Sequence, residues 1–500
     1  MKPGKSNKLV IIGAGISGLS AGVYACQSGF DVTILEKGHN PGGLSTSWKR
    51  KGYTIEGGIH WLTGSSDKLP HNRIWKEVGA LCDNNPVIVK DPLYTLMDKG
   101  RRISLYRDPA KMARTLIEVA PEDEKAIRRL ERHIRALEHF HAPLRNIRGV
   151  KAQSRPKTNI VALLRDILPA IFVLPAIMTK SIGTYLRQFK NESVRTLLGS
   201  FINSEQNAIT LLFTLATYAV GDGGYPKGGS LVMSKNMERK FLSLGGTLLY
   251  GSEASRVEVE NGRVCAVRYN GDKLIEADAV IVSADARTAI DSLFAQPLQD
   301  KWARKLRRDM EVDQCLIFSM GVKADLSAYP HNLAFKLEQP FEYAGCSCNL
   351  LLLNIYSGED HAPEGCAAVT SLLFGDMYDY WKAAREDGTY KQKKQELSAR
   401  IVALIESCLP ELEGKVEFTD LATPVTVQRY CSTYKGGFMS LWKAGKKPAN
   451  APIKHKSISG LYFAGQRTKL SGGLPVAVSS GREAVQYLCR DTDAIFVEQT

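Results

Sequence analysis

The sequence lacks the residue patterns on which several common kinds of protein chemistry depend. Its 10 cysteines do not show metal-site spacing, and the closest pair, Cys346 and Cys348, has one residue between its members. That spacing is too tight for a usual zinc site, so we expect no metal ligands and free thiols in a reducing cytosol. No nucleophile–base pair and no paired carboxylates emerge either. The sequence therefore shows no set of side chains that would catalyse a reaction without a cofactor.

The sequence also lacks a long apolar run. The uncharged run at residues 206–221 has 16 residues, whereas about 20 are needed to cross a bilayer. Basic residues at the N-terminus lead directly into the apolar run 9–12, so no signal peptide is expected. We expect a soluble or peripheral protein. The 500 residues exceed the size of one hydrophobic core and predict two interleaved or tandem domains.

Acidic residues are scarce in one part of the chain. The net charge is +14, and residues 101–200, with 20 Lys and Arg against 9 Asp and Glu, carry +11 of it. A basic excess confined to one segment indicates a local partner. We therefore expect no nucleic acid among the partners.

A strand–turn–helix–strand pattern lies near the N-terminus. Residues 9–12 and 31–35 are apolar and predict two buried parallel strands. A G-x-G-x-x-G motif follows the first strand, and Glu36 follows the second. This order predicts a dinucleotide site in which a helix N-terminus faces the diphosphate and the Glu36 carboxylate accepts a hydrogen bond from a ribose hydroxyl. The carboxylate disfavours NADP, because it would repel the 2′-phosphate of that cofactor. The motif consists of Gly13, Ala14, Gly15, Ile16, Ser17 and Gly18.

The three glycines of this motif have different expected roles. Gly13 permits a tight turn, Gly15 lets the backbone approach the diphosphate, and Gly18 lets helix and strand pack closely.

The residues after the motif carry a family resemblance. Residues 36–44, with a second glycine pair, resemble the extended FAD signature of the amine oxidase and phytoene desaturase superfamily. Residues 53–62 resemble the segment beside the flavin in retinol saturase and carotenoid isomerase relatives. The resemblance implies cofactor contacts at Lys37, Gly42, Gly43, Leu44, Gly58, Ile59 and His60.

Two later parts of the chain extend the resemblance. Residues 225–230 resemble the family's "YPKGG" turn before a predicted helix, 231–244, and an Asn-Gly turn at 261–262 predicts a hairpin. The resemblance implies that the backbone around Val257 meets the adenine and that the strand before Ala284 returns to the FAD-binding domain. Residues 460–488 resemble the closing motif, whose helix N-terminus points at the flavin. That motif implies contacts at Gly465, Gln466, Gly473, Leu474 and Val476.

The chain as a whole resembles the phytoene desaturase, carotenoid isomerase and retinol saturase family of FAD-dependent oxidoreductases. The resemblance implies an α/β fold with a Rossmann-type FAD-binding domain, like that of glutathione reductase, and an interleaved α+β substrate domain. Residues 1–95, 225–300 and 451–500 are expected to form the FAD-binding domain. Residues 96–224 are expected to form a helical substrate- and membrane-facing region, and residues 301–450 a substrate domain of sheet and helices.

A basic stretch adjoins a short apolar segment in the substrate half. Residues 167–178 are apolar and contain two prolines, and no acidic residue lies between Glu138 and Asp166. The combination predicts an interfacial anchor on an anionic membrane surface; the alternative is a solvated basic loop before a core helix. Residues 208–220 predict a buried helix that lines an apolar tunnel or serves core packing. The basic residues are Arg145, Arg148, Lys151, Arg155, Lys157 and Arg165.

The family resemblance implies desaturation, saturation or isomerisation of C=C bonds in a long apolar polyene, isoprenoid or lipid. A flavin amine oxidase and a non-catalytic flavin-containing lipid-binding protein are the alternatives. His60 is the one titratable side chain expected near the flavin, as a structural residue, a substrate-lining residue or a proton donor. One dinucleotide motif leaves no evident NAD(P)H site, so a quinone, oxygen or a protein is expected to exchange the electrons. We expect a cytoplasmic protein, peripheral on the inner membrane face.

Overall fold

The computed structural model describes residues 7–140, 144–153, 160–358, 360–469 and 472–498, without the side chains of residues 160–163, 165 and 166. Its α-helices are α1 (Ile16–Gln27), α2 (Pro70–Glu77), α3 (Pro109–Val119), α4 (Glu124–Leu137), α5 (Ile160–Met178), α6 (Ile182–Leu186), α7 (Glu192–Leu198), α8 (Ala208–Ala219), α9 (Gly229–Ser243), α10 (Ala286–Ser292), α11 (Lys301–Asp309), α12 (Tyr378–Glu386), α13 (Tyr390–Cys408), α14 (Pro424–Cys431) and α15 (Gly473–Thr492).

Its β-strands are β1 (Lys8–Ile12), β2 (Asp31–Leu35), β3 (Ser47–Arg50), β4 (Tyr53–Glu56), β5 (Val87–Ile88), β6 (Tyr94–Asp98), β7 (Arg101–Leu105), β8 (Lys151–Ala152), β9 (Tyr225–Pro226), β10 (Thr247–Leu249), β11 (Ala254–Glu260), β12 (Arg263–Tyr269), β13 (Lys273–Glu276), β14 (Ala279–Val282), β15 (Val312–Asp313), β16 (Cys315–Val322), β17 (Asn332–Tyr343), β18 (Cys346–Ser357), β19 (Ala367–Phe374), β20 (Val416–Ala422), β21 (Met439–Ser440), β22 (Leu461–Phe463) and β23 (Ile495–Phe496).

A five-stranded parallel sheet with the order β10-β2-β1-β14-β22 brings distant parts of the chain together. Helix α1 packs on it with α9 and α15. The other face packs against the β11–β13 sheet and helices α10 and α11. Because both faces are covered, the central strands are continuous apolar runs. The glycine turn after β1 therefore lies at the carboxyl edge of a sheet to which both chain ends contribute.

A seven-stranded sheet with the order β20-β16-β19-β18-β17-β6-β7 forms the second half of the fold. Neighbouring strands are antiparallel except β6 and β17. Side chains alternate between its faces: Leu316 and Phe318 pack in a core with α12 and α13, whereas Cys315 and Ile317 face a cavity. Helices α3 to α8, between β7 and β9, surround a separate core that includes Leu130, Phe189 and Leu212.

The structure confirms the predicted fold class. The helix predicted at 231–244 is α9, which begins two residues earlier, after Gly228 in a left-handed conformation. The predicted hairpin joins β11 to β12 through Asn261 and Gly262, both with positive φ, as a two-residue hairpin turn requires. The division into five domain segments stays a prediction.

Candidate active site

A cavity of about 2530 Å³ extends from the glycine turns after β1 and β2 to helices α5 and α8. Pockets for one small ligand typically measure about 300–1,000 Å³. The cavity is therefore large enough for a dinucleotide and a second, long ligand together. Glycine-rich turns and polar groups form its wall near β1, and apolar side chains of α5, α8 and the seven-stranded sheet form the far wall.

The turn between β1 and α1 has space for a ligand at one glycine and none at another. A Cβ atom on Gly15 would meet no protein atom nearer than the Gly42 carbonyl oxygen, 3.9 Å away, and Gly15 lines the cavity. A Cβ atom on Gly18 would lie 2.0 Å from the Gly13 carbonyl oxygen. Gly15 is open toward a ligand, and Gly18 allows the close packing of helix and strand.

Two helix N-termini face the cavity. Helix α1 begins after Gly15 and helix α15 after Gly472, and neither N-cap residue has a side chain that caps the first turn. Ile16 and Ser17 of α1 and residues 473–477 of α15 line the cavity. Unpaired N–H groups and the positive end of the helix dipole favour negative charge at such positions. The two N-termini suit a diphosphate at α1 and a reduced flavin at α15.

Glu36 connects the two glycine turns. Its Oε2 accepts a hydrogen bond from the Ala14 N–H and its Oε1 one from the Gly38 N–H, each at 2.7 Å. Glu36 lines the cavity. Its carboxylate has further lone pairs that can accept a hydrogen bond from a ribose hydroxyl. Lys37 is held differently: its Nζ donates to the Ser432 hydroxyl and to a backbone carbonyl of α14.

Glu56 is a positioning residue that sequence reasoning missed, although it stands inside the segment 53–62. Its side chain is fully buried and joins that segment to the first turn of α9. Its many hydrogen bonds offset the penalty for burying a charge, and they fix the stretch 58–60 against the cavity. The donors are the N–H groups of Gly58, Ile59 and Ser230 and the hydroxyls of Ser47, Tyr225 and Ser230.

His60 lines the cavity, and no described residue bonds to either of its ring nitrogens. Burial, with the positive charge of Lys90 as a second cause, lowers the pKa of His60 to about 4. The imidazole is therefore neutral at pH 7 and a poor proton donor. This favours a lining or hydrogen-bonding role for His60.

A buried polar cluster lies near His60. The Nζ of Lys90 lies 4.7 Å from the centroid of the Tyr225 ring, and the Tyr225 hydroxyl is 2.8 Å from Nε2 of His361. Burial lowers the pKa of Lys90 to about 7 and that of His361 to about 4. Lys90 is the group in this cluster that changes its charge near neutral pH.

The structure gathers most of the predicted cofactor residues in one wall. Three of them do not line the cavity themselves, although their neighbours in the sequence do: Ala14, Gly18 and Ile59. The predicted residues that do line it are Gly13, Gly15, Ile16, Ser17, Glu36, Lys37, Gly42, Gly43, Leu44, Gly58, His60, Ala284, Gly465, Gln466, Gly473, Leu474 and Val476.

Val257 is the predicted contact that the structure places elsewhere. The residue is buried in β11 outside the cavity wall, and its N–H donates to the Leu293 carbonyl at 2.9 Å. Its N–H is therefore not available to an adenine. The residues just before it, 252–254, line the cavity instead.

A buried ion pair at the cavity wall was also missed. Arg467 Nε lies 2.6 Å from Asp285 Oδ2, and both side chains are 3% exposed. Asp285 also caps α10, so the pair ties the end of β14 to the end of β22. Each member follows a predicted contact, Ala284 or Gln466, by one residue, so adjacency in the sequence was the available signal.

Helix α8 satisfies both interpretations of its sequence. Ile209 and Phe213 line the cavity, whereas Leu211, Leu212 and Leu215 are buried in the core of the helical region. The helix is a tunnel wall on one face and a core element on the other.

The sequence profile of the family described as flavin containing amine oxidoreductase matches residues 16–489. The chain belongs to this family. Its fold and cofactor are those of the flavin-containing amine oxidoreductases, and the cradle described above fits FAD: open space at Gly15, two helix N-termini whose N-cap residues are glycines, and the Glu36 carboxylate. The protein is an FAD-dependent oxidoreductase.

Relatives within this large family align over nearly the whole chain. Prolycopene isomerase of Daucus carota is 24% identical, covering 94% of this chain and 78% of its own. The 4,4′-diapolycopene oxygenase of Methylomonas sp is 22% identical, covering 96% and 98%. The zeta-carotene-forming phytoene desaturase of Myxococcus xanthus is 24% identical, covering 97% and 94%.

Solved structures of flavin-containing amine oxidoreductases share the fold. Cyclohexylamine oxidase from Brevibacterium oxydans superposes with a TM-score of 0.62 at 15% identity, covering 98% of this chain and 100% of its own. At that identity the likeness establishes the fold alone.

Proposed function

We propose that this protein desaturates, saturates or isomerises C=C bonds of a long apolar polyene, isoprenoid or lipid. The names of the relatives support this substrate class, because an isomerase, an oxygenase and a desaturase of such compounds all align over at least 94% of the chain. Bound FAD would supply the redox step by taking up or returning a hydride. The protein's own residues hold the cofactor and place an apolar chain beside it.

The observation that carries the proposal is the continuity of the cavity. The space that begins at the FAD cradle continues along apolar residues of α8 and the seven-stranded sheet, including Phe213, Leu352 and Phe374. An apolar wall gains free energy from burying hydrocarbon, at roughly 25 cal/mol per Å². The far wall is therefore suited to a long hydrocarbon chain, and a small polar amine would leave most of it uncovered.

Helix α5 supports delivery of the substrate from a membrane surface. Ile167 and Leu174 line the cavity, whereas Leu168, Ile171 and Phe172 are exposed on the outer side. The helix thus separates the cavity from an exposed apolar strip. Such a strip beside basic residues binds the interface of an anionic bilayer.

The charges near α5 favour this placement. Arg132 of α4 and Lys180 after α5 are exposed. Burial is the main cause that lowers the pKa of His133 to about 4, and the positive charges of Arg132 and Lys180 lower it further. Arg148 is also exposed, but Lys151 pairs with Asp493 at 2.6 Å. Of the other predicted basic residues, Arg155, Lys157 and the side chain of Arg165 lie outside the described residues.

We further propose that the protein is peripheral on the cytoplasmic side of an inner membrane and exchanges electrons with a quinone, oxygen or a protein. None of the helices within the described ranges is long and apolar enough to cross a membrane. The sequence offers one dinucleotide motif, and FAD occupies its role.

Anaerobic stopped-flow spectroscopy of the FAD-loaded protein tests the proposal. Oxidised and photoreduced protein would be mixed with phytoene, prolycopene, retinol, putrescine or NADPH. We expect the flavin spectrum to change with a polyene and to change little with NADPH alone. Rapid reduction by the amine together with no response to any polyene or unsaturated lipid would contradict the proposal.

A pair of variants connects this reaction to the far wall. Phe213→Gln places an amide in the apolar wall and should slow the polyene reaction by about tenfold, the usual penalty for burying an unpaired polar group. Leu242→Gln changes an exposed residue of α9 outside the cavity and should react as the unchanged protein does. Equal rates for both variants would place the substrate elsewhere.

A further inference from the structure

Three aromatic rings meet in one part of the cavity wall. Tyr94 stacks on Phe201 with ring centroids 4.7 Å apart, and Trp61 packs edge-on against Phe201 with centroids 6.4 Å apart. All three line the cavity, and Trp61 follows His60 in the chain. Flat conjugated groups pack well against such rings.

The hydroxyl of Tyr94 has no hydrogen-bond partner among the described residues, although the side chain is only 7% exposed. Burial is the sole cause that raises the pKa of this phenol, which agrees with the missing partner. Buried phenols and hydroxyls usually find partners. The Tyr94 hydroxyl is thus an unused donor and acceptor in the cavity wall.

His60 provides a second unused group nearby. Its Nδ1 is enclosed by protein without a partner, so Nε2 is the ring nitrogen that a ligand can reach. The neutral tautomer with its hydrogen on Nε2 avoids burying an unpaired N–H at Nδ1. His60 can therefore donate a hydrogen bond into the cavity.

Asp313 and Gln206 are polar residues of the wall that the protein itself already pairs. Asp313 accepts hydrogen bonds from Asn203 and Gln206, at 2.5 and 2.7 Å. Gln206 in turn accepts from the Trp442 N–H. These groups are satisfied without a ligand, which sets Tyr94 and His60 apart from them.

We propose that the Tyr94 hydroxyl and His60 Nε2 bind the oxygen of an alcohol or carbonyl group at one end of the polyene. This inference rests on the proposed function and narrows it: the preferred substrate carries an oxygen at one end, and its conjugated end packs against Trp61, Tyr94 and Phe201. A hydrocarbon end would leave both polar groups unpaired in the wall.

A matched pair of ligands tests the inference on the FAD-loaded protein. The probes are 4,4′-diapolycopene and its monoaldehyde 4,4′-diapolycopen-4-al in detergent micelles, with binding followed by quenching of tryptophan fluorescence. The unchanged protein should bind the aldehyde more tightly. In Tyr94→Phe, which keeps the ring, the ratio of the two dissociation constants should move toward unity by about 3- to 10-fold, the effect of one net hydrogen bond.

Two further variants complete the test. Tyr185→Phe removes a hydroxyl that bonds His133 outside the cavity and should leave the ratio unchanged. His60→Phe should reduce the preference for the aldehyde over the hydrocarbon as Tyr94→Phe does. If Tyr94→Phe does not fold, the His60→Phe protein alone tests the inference. Equal affinity of the unchanged protein for both probes, or an unaltered ratio in both cavity variants, would overturn the inference. Failure to bind either probe, with binding of an amine, would instead contradict the proposed function.

Discussion

Gly15 and Gly18 differ in what a methyl group would meet. At Gly15 the methyl would enter the cavity, whereas at Gly18 it would lie 2.0 Å from a backbone oxygen. We predict that Gly15→Ala folds normally but loses FAD, because the methyl occupies the space of the diphosphate. Gly18→Ala should lose thermal stability, because helix α1 must move away from β1. Flavin absorbance per chain and circular dichroism melting curves separate the two effects.

The two variants serve as controls for each other. If Gly15→Ala keeps one FAD per chain, the diphosphate does not lie at this turn. If Gly18→Ala melts at the same temperature as the unchanged protein, the close packing of α1 on β1 is not as described.

The residues at this site show what a sequence can reveal. Gly13, Gly15 and Glu36 were predictable because a strand, a turn and a helix in immediate succession have one geometry, whatever surrounds them. Glu56 was missed because its role depends on donors from α9, about 170 residues later. The adenine contact around Val257 stays a prediction, and the bond from its N–H to the Leu293 carbonyl after α10 is a contact that no local pattern encodes.

Helix α5 has two apolar faces with different neighbours. Ala170 and Ile177 are buried, and the helix packs against α4 and α8, so the core-helix alternative from the sequence describes one face. Phe172 is 78% exposed on the other face. When apolar residues lie nearly all round a helix axis, the sequence does not reveal which face packs against protein and which faces a membrane.

We predict that liposome flotation depends on this outer face. Phe172→Glu should lower the membrane-bound fraction by about tenfold or more, because burying a phenylalanine contributes roughly 1.5–3 kcal/mol. Binding of the unchanged protein should rise with anionic lipid and fall with salt, since each basic residue near the surface contributes about 1 kcal/mol and salt screens that attraction.

Leu274→Glu is the matched control for this experiment. Leu274 is 54% exposed in β13, at a different part of the fold, so the same change of charge there should not alter flotation. Equal losses in both variants would indicate a general charge effect. Binding that is indifferent to lipid charge would contradict the anchor.

The elements near the N-terminus were predictable, and the second sheet was not. Strand β1, helix α1 and strand β2 follow one another within 35 residues, so local patterns suffice. The seven-stranded sheet joins β6 and β7 to strands more than 200 residues later, and β6 pairs with β17 in parallel. Pairings over such distances depend on tertiary packing, so the sequence indicated a substrate region of sheet and helices without its strand order.

At the scale of the whole molecule, the FAD cradle joins three distant parts of the chain. The turns after β1 and β2 come from the first 45 residues, Asp285 follows β14, and Arg467 and the start of α15 come from the last 40. A ligand that contacts all of them stabilises the folded state over the unfolded one. The cofactor therefore contributes to the stability of the entire fold as well as to chemistry.

We predict that removal of FAD lowers the melting temperature of the whole protein and that adding it back restores the original value. At a free FAD concentration of 100 times Kd the stabilisation is about 2.7 kcal/mol, which corresponds to a rise of several degrees. Differential scanning fluorimetry of the apoprotein over a range of FAD concentrations measures the shift. The Gly15→Ala protein is the control: it should melt like the apoprotein and should not respond to FAD. An apoprotein that melts at the same temperature with and without saturating FAD would contradict a cradle that spans both ends of the chain.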